Sequence, residues 1–198
     1  MKAKRRNYAI VFDLEFTAWQ GSMASRWTRE GEYTEVVQIG AVKLEADRLS
    51  VVDEFDMLVR PRINPVLSQY FIDLTGITND HLAARGVDFV TAYRAFLEFA
   101  DGGTIWAFGR DDLIFERNLK LYAWSTLPVL PYANAVPWFA ANGVDLKGKH
   151  ACDVAEAVGL AFAGHKHDAL ADARGVAAGI KAIVERGAPN PLVAGPAG

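Results

Sequence analysis

The sequence predicts a single mixed α/β domain, a β-sheet covered by helices. Three observations lead there. Tyr8 to Phe12 is short and continuously apolar, which suits a strand buried on both faces in the middle of a sheet. Two further strand-like runs follow it and are joined by a polar turn. Beyond them, short apolar strands alternate with stretches of helical periodicity, the order expected of helices packed on a sheet. A chain of 198 residues with 51% hydrophobic content can bury one sizeable core.

In chain order, Tyr8–Phe12 is the central strand, and Val36–Leu44 with Leu49–Val59 form a hairpin around Ala46-Asp47-Arg48. Thr17 to Tyr33 lies between the first two strands and carries Gly21, Gly31, Trp19 and Trp27. It reads as a surface loop beside whatever site the first strand ends in. From Val87 to Ala100, the residues Phe89, Val90, Tyr93, Phe96, Leu97 and Ala100 recur at helical spacing, and Gly102-Gly103 ends that helix. Thr104–Phe108 is another short strand, and Asp111–Trp124 another amphipathic helix. A connection containing Pro128, Pro131 and Pro137 follows, then helices near Lys149–Val158 and Ala169–Glu185. The segment from Gly187, with Pro189, Pro191 and Pro196, reads as a disordered tail. No internal repeat is found.

The charge balance removes some classes of function. With 21 basic and 24 acidic residues there is no global cationic field, so affinity for a polyanion must be local or carried by metal. One cysteine, Cys152, excludes an intramolecular disulfide and fits a reducing compartment. The start of the chain is basic, at Lys2, Lys4, Arg5 and Arg6, but the apolar run after it is too short for a signal peptide and ends in Asp13 and Glu15. No stretch approaches the roughly 20 apolar residues of a membrane helix. A soluble cytoplasmic protein is the expectation.

The chemistry lies in the carboxylates. Asp13 and Glu15 are two apart on a strand, so both point to one face while Leu14 points to the other. Two carboxylates side by side at the end of a buried strand repel each other, and a divalent cation relieves both the repulsion and the desolvation. Magnesium fits, since it takes oxygen ligands and keeps waters that substrate can replace. The alternative is a strand that has already left the core. Asp111 and Asp112 open a helix, where acidic caps are ordinary. Asp111 makes the better cap, which leaves Asp112 to face the strand ends.

His167 and Asp172 are five apart, and at about 100° per residue they cannot converge on one helix. With His167 in the preceding loop and Asp168 capping, both approach one site, and a loop histidine beside a metal carboxylate suits a base. The alternative is a surface histidine with an ordinary helical aspartate. His150, Cys152, His165 and His167 offer zinc-type ligands, but the spacing is atypical and Cys152 sits in an apolar run, as a core residue would. Walker, dinucleotide-binding and H-E-x-x-H patterns are absent.

Phe12-Asp-Leu-Glu-Phe-Thr17, Phe108-Gly-Arg-Asp-Asp112 and His167-Asp-Ala-Leu-Ala-Asp-Ala173 together resemble, in order, the three motifs of the DEDDh (DnaQ-like) exonucleases. Val59-Arg-Pro-Arg-Ile-Asn-Pro-Val-Leu-Ser68 and Leu74-Thr-Gly-Ile-Thr78 are similar to the Eri-like and KapD-like branch. The resemblance implies a ribonuclease H-like fold with a central five-stranded mixed sheet, over 8–186, between a basic tail (1–7) and the tail at 187–198. It implies removal of nucleoside 5′-monophosphates from the 3′ ends of RNA or single-stranded DNA. Asp13, Glu15, Asp112 and Asp172 would hold two Mg²⁺ ions, with Mn²⁺ as a substitute, and His167 would be the general base. The resemblance favours Asp112 over Asp111 and His167 over His165. Leu74, Thr75 and Ile77 are the implied contacts to the terminal nucleotide. Phe16 and Phe115 are further candidates for stacking, with Leu14 and Thr17 beside them. Phe16 stands where many Eri-like enzymes have a small residue. Two other functions fit a chain of this kind: an interaction or proofreading subunit of a larger complex, or a nucleic-acid-binding module without chemistry. The presence of all five catalytic residue types argues against the last.

Overall fold

A computed structural model describes residues 7–194. Five strands form one sheet in the order β3-β2-β1-β4-β5. They are β1 (Tyr8–Phe16), β2 (Val36–Glu45), β3 (Ser50–Leu58), β4 (Thr104–Ala107) and β5 (Tyr132–Asn134). β2 runs antiparallel to both β1 and β3, while β4 and β5 run parallel to β1 and to each other, so the sheet is mixed. The helices are α1 (Ser22–Ser25), α2 (Gln69–Thr75), α3 (Asn79–Arg85), α4 (Phe89–Ala100), α5 (Asp111–Leu121), α6 (Ala135–Ala141), α7 (Val154–Ala157), α8 (Ala169–Glu185) and α9 (Pro191–Ala194). Among the described residues no helix is long and apolar enough to cross a membrane.

β1 is central because both of its faces are apolar. Ala9 and Val11 join Val176, Ile180 and Ile183 of α8 in one core. Ile10, Phe12 and Leu14 join Phe96 of α4 and Phe115 of α5 in the other. Helices therefore cover both sides, and Asp13 and Glu15 continue the Val11 face toward α8. That approach needs Gly40, the β2 residue opposite Asp13, because a Cβ there would lie 2.1 Å from the Leu170 nitrogen. The start of α8 thus sits directly on the sheet.

Several expectations are corrected. The proline-containing connection holds β5 and α6, which the sequence pattern did not reveal. The helix expected over Lys149–Val158 is a 3₁₀ turn, Ala151–Asp153, followed by the single turn α7. The tail expected to be disordered from Gly187 is packed as far as the description reaches. Leu192 is buried, Asn190 Nδ2 donates to the Ala46 carbonyl, and Trp138 Nε1 donates to the Pro189 carbonyl. Pro191 starts α9, which the buried Leu192 anchors. The basic residues Lys2, Lys4, Arg5 and Arg6, and residues 195–198, lie outside the described residues.

Candidate active site

Pairing of β4 with β1 stops at Val11, so the last residues of β1 extend past the shorter strand. Asp13 and Glu15 sit on that extension and are buried at 8% exposure each. Across from Glu15, the buried Gln38 fastens the start of α8: its Oε1 accepts from Ala169 N at 3.0 Å and its Nε2 donates to Asp168 Oδ2 at 3.0 Å. Asp168 caps the helix by accepting from Ala171 N. Asp172, one turn on, then faces Asp13 and Glu15. One oxygen from each of these three carboxylates lies within 4.8 Å of the other two.

Burial, then the charges of neighbouring carboxylates including Asp111, holds Asp13 and Glu15 well above the usual carboxylate range. Burial pushes Asp172 up to about 7, although the His167 backbone amide donates to it. Burial, aided by Asp112, pushes Asp111 up to about 8, although the Leu14 backbone amide donates to it. Four acids in so small a space cannot all ionise unaided. Asp111 Oδ2 and Asp172 Oδ1 are also buried with no protein partner. Orphaned carboxylate oxygens in an all-oxygen cluster fit a hard divalent cation.

His167 stands in the loop before α8 with φ 63°, a left-handed conformation uncommon for a residue with a side chain. Its ring meets His150 edge to face at 5.9 Å between centroids. Burial, then the neighbouring His150, holds its pKa below the ordinary histidine value. The ring lines a cleft of about 370 Å³ together with Asp13, Glu15, Asp111 and Asp172. The opposite wall is apolar and comes from Phe16, Trp19, Met23, Trp27, Tyr70 and Leu74. An anionic end and an aromatic end in one cleft suit a substrate with a phosphate and a flat ring.

A family model described as "Exonuclease" (RNase_T) matches residues 10–178. The chain belongs to this exonuclease family. The resemblance to the DEDDh 3′–5′ exonucleases is thereby borne out, and with it the reading as an enzyme. Rat 3′-5′ exoribonuclease 1 is 34% identical over 77 residues, which are 38% of this chain and 20% of the relative. The matched stretch spans a fifth or less of the length of the curated relatives it matches. Among solved structures, the nuclease domain of 3′hExo, a DEDDh family member bound to rAMP, superposes with a TM-score of 0.79 at 21% identity, covering 94% of this chain and 96% of that one. A zinc-bound E. coli ExoI–ssDNA complex superposes with a TM-score of 0.67 at 16% identity, covering 92% and 41%. These establish the ribonuclease H-like fold.

Within the exonuclease domain, Asp13, Glu15, Asp172 and His167 come together, but Asp112 does not join them. Both its oxygens are taken by Arg110, from Nε and Nη2 at 2.8 Å each. Asp111, which was expected to cap the helix, turns into the cleft instead, and α5 begins without a side-chain cap. The phase of α5 explains the exchange. Asp111 shares a helix face with Phe115, which packs beneath β1, whereas Asp112 shares one with Glu116. That signal was available in the sequence.

Of the expected nucleotide contacts, Leu14, Phe16 and Leu74 line the cleft. Phe115 is core, stacked on Phe12 at 5.4 Å and packed against Phe96 and Tyr93. Thr75 is buried, donating to the Phe71 carbonyl and accepting from Ile77 N, and Ile77 packs in a third core cluster. Thr17 fixes the following loop, donating to the Tyr33 carbonyl and accepting from Glu35 N. Thr17, Thr75 and Ile77 thus anchor the segments that follow Phe16 and Leu74, while Phe115 fills the core beneath β1. The sequence places the Trp19–Trp27 loop near the site and offers His150 only as a zinc-type ligand; that Trp19, Trp27, Tyr70 and His150 line the cleft is a tertiary fact that no local pattern discloses. Cys152 Sγ lies within the same 4.8 Å limit of His167 and Asp172, yet burial pushes its thiol up to about 12, and His165 is not in the group. A thiol that resists ionisation is a poor zinc ligand.

Proposed function

We propose that this chain is a metal-dependent 3′→5′ exonuclease that releases nucleoside 5′-monophosphates from RNA or single-stranded DNA. The observation that carries the reading is the convergence of Asp13, Glu15 and Asp172, with Asp111 beside them, on orphaned oxygens in a cleft with an aromatic wall. Asp13, Glu15 and Asp172 would hold one cation, and Asp111, in the place expected of Asp112, would help Asp13 to hold a second. Bound Mg²⁺, or Mn²⁺ in its place, supplies Lewis-acid polarisation of the phosphate and of the attacking water.

The chain's own groups do the rest. His167 takes the proton of the attacking water, and its depressed pKa keeps the ring neutral and able to accept at neutral pH. The left-handed loop residue and the capped start of α8 hold that ring beside Asp172. Phe16, Trp19 and Trp27 supply faces on which any base can stack, which suits a nuclease of low base selectivity. Both RNA and single-stranded DNA fit such a cleft, in keeping with the exoribonuclease name of the rat relative and the ssDNA bound to the E. coli neighbour.

The test uses single strands labelled at the 5′ end, with a free or a phosphorylated 3′ end, in Mg²⁺ and in EDTA. Stepwise shortening of the free strand, with sharp slowing on the blocked one and none in EDTA, is expected. Equal digestion of both strands, or internal fragments appearing first, overturns the polarity.

A further inference from the structure

A second groove lies at the far end of α5. It has a volume of about 250 Å³, and its lining includes Arg60, Arg62, Asp88, Phe89, Tyr122 and Trp124. The Arg62 guanidinium lies 5.1 Å from the Tyr122 ring centroid, and the Arg94 guanidinium 5.5 Å from that of Trp124. Among the described residues, no carboxylate forms an ion pair with Arg60, Arg62 or Arg94. Asp88, the acidic residue in the groove, is occupied as the cap of α4 by Thr91, whose N and Oγ1 both donate to it.

This surface is built rather than incidental. Glu35, fully buried, accepts from Arg62 N, Ile63 N and Asn64 N and from the Tyr122 hydroxyl, so one internal carboxylate ties the arginine-bearing segment to the aromatic ring beside it. Glu35 N in turn donates to Thr17, two residues beyond Glu15, which joins the groove to the end of β1. The stem of Arg60 lies against Gly86, where a Cβ would come 2.7 Å from its Cγ. α5 begins at Asp111 and is capped at Tyr122, so the groove is roughly 16 Å from the acidic cluster, at 1.5 Å per residue.

Resting on the proposed nuclease reading, we propose that this groove is a second contact for a single-stranded nucleic acid, holding nucleotides upstream of the end in the acidic cleft. Arg60, Arg62 and Arg94 take phosphates, and the half-exposed Trp124 stacks a base. The chemistry is that of sequence-tolerant strand binding, cationic side chains along a backbone with aromatic faces between them. It also resolves a difficulty of charge: the chain carries a net −3, so a polyanion must be drawn by a local basic surface away from the acidic cleft.

The experiment compares wild type with R62E/R94E, and with R62Q as a milder variant, on a dinucleotide and on a 12-nucleotide single strand. Steady-state rates are measured in Mg²⁺, and fluorescence anisotropy of the 12-mer in EDTA. The groove predicts that KM for the 12-mer rises about tenfold or more in R62E/R94E and less in R62Q. It also predicts unchanged kcat, unchanged dinucleotide kinetics and a shallower salt dependence of binding, by about 0.7 in the log–log slope for each phosphate that is no longer neutralised. An unchanged 12-mer KM, or an equal effect on both substrates, overturns it. So does binding of AMP that is abolished in the variants while the 12-mer is unaffected, since that marks a mononucleotide site. If wild type cleaves neither substrate, the nuclease reading fails, while anisotropy still decides the groove by whether the variants release the strand.

Discussion

Replacing Asp111 with asparagine, against Asp112→Asn as its neighbour control, separates two adjacent carboxylates with opposite surroundings. In the metal-free protein Asp111 is held to about 8 from an ordinary 3.8, chiefly by burial. At 1.36 kcal/mol per pKa unit, ionising it in the folded state costs up to about 6 kcal/mol. The unfolded chain sheds this proton near pH 4 and the folded chain near pH 8. The unfolded state is therefore favoured progressively through that window, and metal-free stability falls as pH rises from 4 to 8. Asparagine cannot ionise, so metal-free Asp111→Asn should match wild type near pH 4 and exceed it at pH 9. If half the ceiling is realised, the gain is about 6–12 °C in Tm, at about 2–4 °C per kcal/mol for a chain of this size. The same variant should lose more than about 100-fold in activity, since even partners of metal ligands are worth 10- to 100-fold. Asp112→Asn removes only an ion pair with a mostly exposed arginine, so stability should change by less than about 1 kcal/mol and activity by a few fold. Calorimetry at pH 4 to 9 in EDTA, with single-turnover rates in Mg²⁺, reads both. Loss of activity in Asp112→Asn with Asp111→Asn active would refute the assignment.

Three other outcomes follow from the same geometry. His167→Ala should slow single-turnover cleavage by about 10²- to 10⁴-fold while still binding metal and oligonucleotide, and His165→Ala should change the rate little; equal losses in both would remove His167 from its role. Wild-type activity should rise with pH through the His167 pKa, which burial holds below the ordinary histidine value, because only the neutral ring accepts a proton; a rate that falls as pH rises from acid to neutral contradicts this. Gly40→Ala should destabilise by at least about 1–3 kcal/mol and reduce metal affinity, because the added carbon meets the backbone at the start of α8 rather than a movable side chain; a normal melting temperature and normal metal titration would show that α8 can shift freely.

Much of the frame was legible because it rests on strong local patterns. The apolar run of β1, the hairpin of β2 and β3, and the periodicity of α4, α5 and α8 each announce themselves within one segment. β5 did not: it is three residues long and exists through pairing with β4, a long-range fact. α2 and α3 are seven residues each and depend on the caps supplied by Ser68 and Thr78. The packed end of the chain depends on Leu192 finding a place in the core that proline content does not disclose. In the site, Asp13, Glu15, His167 and Asp172 were legible from strand alternation and from the loop-plus-cap geometry of α8. Asp111 was harder to see, because its preference for a cap position points one way and the helix phase set by Phe115 points the other. Thr17, Thr75, Ile77 and Phe115 were drawn toward the nucleotide by their place in motifs, while tertiary packing uses them as anchors.

In the proposed reading the carboxylate cluster is the metal centre on which hydrolysis depends. Titration of Mn²⁺ into EDTA-stripped protein, with cleavage of a single strand followed in the same samples, tests it most directly. Wild type should bind two ions per chain, with activity returning as the sites fill, and Asp13→Asn should lose both the binding and the activity while keeping its fold. Cleavage persisting in stripped wild type, or unaltered ion binding in Asp13→Asn, would contradict it.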